Sequence, residues 1–243
     1  MKNRAVSMCR SRYVGPLCFW IADLAMLWGP GVGAEEDSSL DGLDSLLGEY
    51  ADTAEVLSWH ADQSPEPWQG RWIGPDACLP NQWLCFRTSF DLEVSPLTTT
   101  VRIACDSKYW LWLNGTLVIR EGQLKRGPTP NDTWFDEYDL AAYLNPGRNT
   151  VAILVWYFGK DGFSHNDSGR AGLLFDMQVH EQPTVISDRN WRMIEHPAYG
   201  KAGGPEPNFR LPEHSIRFDA RLDLPGWTEN DYDDSMWGHA VEF

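Results

Sequence analysis

From Tyr109 to Ile119 the chain runs through alternating tyrosine, tryptophan and leucine, reaches Asn114-Gly115, and returns through Thr116-Leu117-Val118-Ile119. Asn-Gly tolerates the left-handed backbone that both central positions of a two-residue hairpin turn require. Flanked by aromatic and branched residues, it specifies two antiparallel strands joined without slack. The surrounding sequence has the same texture. Residues 83–90 alternate, with Phe86, Thr88 and Phe90 on one face, and 98–106 place Val101, Ile103 and Cys105 inward. Residues 150–158 form an unbroken apolar run suited to the middle of a sandwich. Residues 172–180 alternate again, and 215–222 read as a last strand. No segment carries a long, strong amphipathic helical pattern, while 21 glycines and 16 prolines supply frequent turns. The fold class that follows is all-β, an antiparallel β-sandwich or jelly roll over 68–181. Residues 182–243 either add strands to it or begin a second, incomplete β-sandwich.

Local turn chemistry fills in the joints. Asp139 can cap one helical turn that Asn145-Pro146-Gly147 then stops. Asp188 and Trp191, and likewise Asp234 and Trp237, share an Asp-x-x-Trp spacing in which the acid can cap a turn and the indole can pin it to a core. Thirteen tryptophans is a high count. Trp110, Trp112 and Trp156 fall within strands and are read as core.

The N-terminal residues have a different character. Lys2, Arg4, Arg10 and Arg12 precede an apolar stretch over 13–32, and Val32-Gly33-Ala34 fits a small-residue cleavage site. Residues 1–34 are therefore expected to be a signal peptide, which makes the protein secreted or periplasmic. Asp23 and Gly29-Pro30-Gly31 argue against a spanning helix. Residues 35–67 read as an acidic linker with one weak helix. A net charge of −15 excludes nucleic acid and anionic membrane as partners and suits a neutral ligand. Cys78 and Cys85 flank a short segment and can either pair in an oxidising compartment or remain small, buried thiols.

The string Asp106-Ser107-Lys108-Tyr109-Trp110-Leu111-Trp112-Leu113-Asn114-Gly115 is similar to the strand-turn signature of galactose-binding-like sandwiches in glycosidases. Tyr138-Asp139-Leu140, then Leu144-Asn145-Pro146-Gly147-Arg148-Asn149, then Val155-Trp156-Tyr157-Phe158-Gly159 follow in the same order. Residues 68–90, His165 with Ser168-Gly169-Arg170, Phe218-Asp219-Ala220-Arg221 and residues 227–237 resemble the N-terminal β-sandwich region of bacterial α-L-rhamnosidase-like glycoside hydrolases. The resemblance covers about 68–241. It implies an accessory sandwich whose catalytic acid and base belong to a helical barrel elsewhere in the same chain, a carbohydrate partner in which rhamnose features, and a structural calcium held by loop oxygens.

Glycoside hydrolysis needs two carboxylates flanking the scissile bond, about 5–9.5 Å apart. The densest group, Asp132, Asp136, Glu137 and Asp139, has turn and capping duties to account for it. No Gly-x-Ser-x-Gly elbow and no His-Glu-x-x-His pair occurs, so neither a serine hydrolase nor a zinc protease is indicated. No catalytic residue is assigned. Sugar binding fits better, because an aromatic face stacks on pyranose C–H groups while Asp, Asn and Arg hold hydroxyls. The candidates are Asp132, Trp134 and Asp136 in one loop, and His165, Asn166, Asp167 and Arg170 in another. Three readings follow: a non-catalytic accessory module of a rhamnosidase-type hydrolase, a free-standing secreted carbohydrate-binding protein, or an enzyme in its own right.

Overall fold

The computed structural model describes residues 67–124, 134–162, 166–180, 182–202 and 216–243. The expected signal segment, nearly all of the expected linker, and candidates Asp132 and His165 lie outside the described residues. In chain order the first seven strands are β1 (Ile73–Gly74), β2 (Gln82–Leu92), β3 (Thr99–Asp106), β4 (Lys108–Leu113), β5 (Thr116–Gln123), β6 (Asp136–Tyr138) and β7 (Gly147–Tyr157). Then come β8 (Gly172–Val179), β9 (Gln182–Ile186), β10 (Arg192–Glu195), β11 (Tyr199–Lys201), β12 (Ile216–Phe218), β13 (Gly238–His239) and β14 (Val241–Glu242).

These strands form two six-stranded antiparallel sheets of a β-sandwich. Sheet one has the order β14-β1-β8-β3-β6, with β9 also on β8. Sheet two has the order β13-β10-β2-β7-β4-β5, and β11 pairs β12 separately. Asn114 and Gly115 take φ values of 52° and 79°, the left-handed pair that closes β4 onto β5. Asn114 also binds sideways: its Nδ2 donates to Tyr143 O and Asn149 Oδ1, each at 2.9 Å, and its Oδ1 accepts from Thr150 N.

The core between the sheets follows the two-residue alternation. Leu84, Phe86, Tyr109, Leu111, Leu113, Val151, Ile153, Val155 and Tyr157 face Val101, Ile103, Cys105, Leu173, Phe175 and Met177, with Trp191 among them. Burying each large apolar side chain of this kind stabilises by about 1.5–3 kcal/mol.

Segment 182–243 supplies strands to both sheets and also covers the outer face of sheet two. Trp83, Cys85, Ala152, Leu154 and Trp156 on that face pack with Trp227 and Trp237, and with Tyr199, Ile216, Leu224 and Tyr232 at the margin. This double coverage explains the unbroken apolar run of β7, whose two faces are both buried. Arg87, fully buried on β2, fastens the cover: Nε donates to Trp227 O at 3.1 Å, Nη2 to Glu229 O, and Nη1 to the Asp234 carboxylate. On sheet one, Asp176 accepts from Arg102 Nη2 (2.9 Å), Gln69 N and Gly70 N, which ties residues 67–74 to the sheet beneath Trp68.

The structure decides between some expectations and corrects others. All three strand tryptophans belong to the cluster on the outer face of sheet two, where Trp156 is buried as expected for core while Trp110 and Trp112 are only half-buried. Cys78 packs against the inter-sheet core and Cys85 lies on the outer face of sheet two, so they do not pair, and both are free thiols. The strand expected over 215–222 stops at Phe218, because Asp219 Oδ1 accepts from Arg221 N and opens a 3₁₀ turn over Ala220–Leu222. Asp139 serves its turn as expected, accepting from Ala141 N at 3.0 Å, and it also ties the turn to Thr99.

Candidate functional site

Strand register gathers the candidate loops at one end of the sandwich. There β3 finishes at Asp106 opposite Gly172 at the start of β8, and Lys108 at the start of β4 sits opposite Trp156 near the end of β7. The start of β6 joins the same end through Asp136 opposite Ile103. Trp134, which precedes β6, and loop 166–170, which precedes β8, therefore share this rim.

The rim is braced from below by a corner at Asp106 and Ser107. Asp106 is buried, accepting from Ser107 Oγ (2.6 Å) through Oδ1 and from Ser168 N (2.8 Å) through Oδ2. Ser107 Oγ accepts from Phe158 N, and Ser107 O accepts from Leu124 N. One two-residue corner thus holds the exits of β5 and β7 and the approach to β8. Sequence reasoning quoted these two residues only as part of a hairpin signature. Their bracing role rests on Phe158 and Ser168, each more than fifty residues away, which no local pattern announces.

Individual candidates differ in their circumstances. Trp134 is half-buried. Asp136 sits in a strand and not in the expected loop. It is buried, and its Oδ2 accepts from Tyr109 Oη (2.9 Å) and Gln123 N (2.7 Å). The Tyr109 phenol is driven well above its ordinary pKa, first by burial and then by Asp136. Asn166 and Asp167 are half-buried, and Asp167 N donates to Asp161 Oδ1 at 2.8 Å. Beside them the Tyr157 phenol is pushed upward, by burial first and then by Asp167 and Asp106. The Arg170 guanidinium lies over the Phe243 ring at 3.6 Å, a cation–π seat that leaves it at the flank of the rim. Ser168 Oγ accepts from Arg170 N and donates to Arg170 O, folding the loop on itself.

Chemically the rim offers an indole, amide and carboxylate oxygens and a guanidinium, the set that holds a neutral polyol. Among the described residues no group of three or more His, Cys, Asp or Glu side chains is placed to hold a metal ion, so the calcium implied by the resemblance has no such ligand group there. At the opposite end, an open polar groove is lined by Thr98, Thr99, Thr100, Gln178 and His180.

The family model for the α-L-rhamnosidase N-terminal domain matches residues 95–243. The chain belongs to this family. The α-L-rhamnosidase of Alteromonas sp. (strain LOR) is 24% identical over 191 residues, covering 72% of this chain and 20% of that protein. The α-L-rhamnosidase of Streptomyces avermitilis is 30% identical over 136 residues, covering 53% of this chain and 13% of that one. Among solved structures, the GH78 family rhamnosidase of Bacillus sp. GL1 superposes with a TM-score of 0.62 at 28% identity, covering 72% of this chain and 18% of that chain. The α-L-rhamnosidase from Dictyoglumus thermophilum shares the fold with a TM-score of 0.55 at 21% identity, covering 74% of this chain and 21% of that chain. The chain thus spans between 13% and 21% of the length of these relatives. The corner at Asp106, the hairpin at Asn114 and the C-terminal segment that covers sheet two lie within the matched residues, while β1 and β2 precede them.

Proposed function

We propose that this chain is an exported, non-catalytic accessory domain of an α-L-rhamnosidase-type glycoside hydrolase, binding or presenting neutral, rhamnose-containing glycan to a catalytic barrel. The observation that carries this reading is the rim. Register brings Trp134 and loop 166–170 to one end of the sandwich, where a half-buried indole stands with amide, carboxylate and guanidinium groups. Two buried acids at this end of the sandwich, Asp106 and Asp136, hold hydrogen bonds within the domain, Asp106 through both oxygens and Asp136 through Oδ2. That supports binding over hydrolysis, which needs two carboxyls open to the substrate. The net charge of −15 suits an uncharged ligand. The basic and apolar N-terminal residues support export to the periplasm or beyond.

The test is calorimetric titration of the purified chain with L-rhamnose and rhamnose-containing oligosaccharides, first with calcium and then with chelator. Saturable heat with L-rhamnose that Trp134→Ala abolishes is the expected outcome. A folded protein giving no heat with any of these sugars would refute sugar binding at the rim.

A further inference from the structure

The outer face of sheet two is covered unevenly. Its β2 and β7 columns, carrying Trp83, Cys85, Ala152, Leu154 and Trp156, lie under the C-terminal segment. The β4 column is left at the margin. Lys108, Trp110 and Trp112 alternate with the core-facing Tyr109, Leu111 and Leu113, and both indoles are half-buried. Each is backed by another indole: Trp110 stacks on Trp83 with centroids 5.6 Å apart, and Trp112 meets Trp227 edge-on at 5.5 Å. Opposite Trp112, Leu117 on the edge strand β5 is 44% exposed. At one end of the column Lys108 Nζ and the half-exposed Glu121 carboxylate stand 3.5 Å apart. At the other, the Glu229 carboxylate lies over Gly115.

We propose that Trp110 and Trp112 form a second carbohydrate platform, separate from the rim, that takes a neutral oligosaccharide along β4. The proposal rests on the reading of the chain as a sugar-facing accessory domain and extends it. Residues two apart on a strand lie about 7 Å apart along it, so the two indoles meet successive sugar rings and not one ring. Rigid, backed indoles lose little freedom on binding and present C–H-complementary faces. Glu121, Lys108 and Glu229 at the two ends supply hydroxyl partners, and the acidic protein disfavours a polyanionic glycan. The platform therefore selects for chain length: oligosaccharides bind, and a monosaccharide spans only half of it.

The test uses the full chain and neutral sugars of one to six residues, rhamnose-containing and cello-oligosaccharide series with their monosaccharides, titrated by tryptophan fluorescence and calorimetry. Affinity is expected to rise from one to three sugar units, and Trp110→Ala and Trp112→Ala are each expected to weaken oligosaccharide binding about two- to tenfold. In the unsubstituted chain, bound oligosaccharide is expected to protect Trp110 and Trp112 from oxidation by N-bromosuccinimide, read by peptide mass spectrometry, so the result does not depend on either variant folding. If Trp134→Ala abolishes binding while both β4 variants keep full affinity and no protection appears, the platform is wrong and the accessory reading survives. If no oligosaccharide binds at all, both fail. If either β4 variant changes the sedimentation coefficient and not the sugar affinity, the face is a contact between copies and the proposal is overturned.

Discussion

Replacing Arg87 by methionine should loosen the whole C-terminal cover, because this one guanidinium binds three separate points of it. The side chain is fully buried, with Trp227 O, Glu229 O and the Asp234 carboxylate as its acceptors. The buried Trp227 carbonyl left without its donor costs about 1–3 kcal/mol, and the Glu229 carbonyl, on an exposed residue, costs less because water can replace the donor. Breaking a buried ion pair from one side costs about 3–5 kcal/mol, but the Asp234 side chain is 23% exposed and regains part of its hydration, which puts this contribution below that range. Methionine restores apolar volume worth about 1 kcal/mol or more against these losses. The net expectation is about 3 kcal/mol of destabilisation, or a Tm lower by roughly 6–12 °C for a domain of this size. Urea unfolding followed by tryptophan fluorescence and by circular dichroism measures it. Trp227 and Trp237 belong to the cover, so a fluorescence transition that runs ahead of the circular dichroism signal would show the cover leaving first. Asp234→Asn keeps an acceptor but removes the counter-charge of the buried guanidinium, and should cost about 2–3 kcal/mol. An Arg87→Met protein within about 0.5 kcal/mol of the parent, with coincident transitions, would refute the fastening role.

Acid should weaken the same cover through His196, which is buried against Tyr199 and Trp227 with Nε2 3.5 Å from Asp223 Oδ1. Burial lowers its pKa below the ordinary 6.5 and Asp223 opposes that only in part. The unfolded chain then takes up a proton that the folded chain resists, so stability is full above about pH 6.5 and falls as pH drops towards the folded value; urea midpoints at pH 7.5 and 5.5 should differ less in His196→Gln. Gly115→Ala should cost about 1–3 kcal/mol by thermal melt, because φ there is 79° and the new methyl meets the Glu229 carboxylate; an unchanged Tm would contradict the turn geometry. Trp191→Ala should cost about 3–5 kcal/mol in the same urea assay, since that indole is 1% exposed, packs on Phe175 and donates to Ile186 O at 2.8 Å.

Much of the sandwich was legible because β-structure writes its alternation locally. Phe86 and Phe90, and Val101, Ile103 and Cys105, face the core as their two-residue spacing requires. The Asn114-Gly115 turn needed nothing beyond its own dipeptide. β10 went unread: four residues, Arg-Met-Ile-Glu, become a strand only by lying against Cys85 and Phe86 more than a hundred positions away. The same distance hid the outer-face position of Trp110 and Trp112, since alternation tells which residues share a face but not which face the tail will cover. Asp136 shows the converse limit. An aspartate beside a tryptophan looks like a loop ligand, yet Tyr109 and Gln123, brought near by β4 and β5, take up its Oδ2. Polar side chains declare their partners only after the fold has chosen them.

The measurement that bears most directly on the reading of this chain as a non-catalytic domain is turnover. The purified chain, shown to be folded, is incubated with an aryl α-L-rhamnoside while release of the aryl group is followed in parallel with L-rhamnose titration. Saturable sugar binding with no release above the uncatalysed rate is the predicted result. Release that persists through repurification and falls when Glu137→Gln or Asp161→Asn is introduced would contradict the account and make the chain an enzyme in its own right.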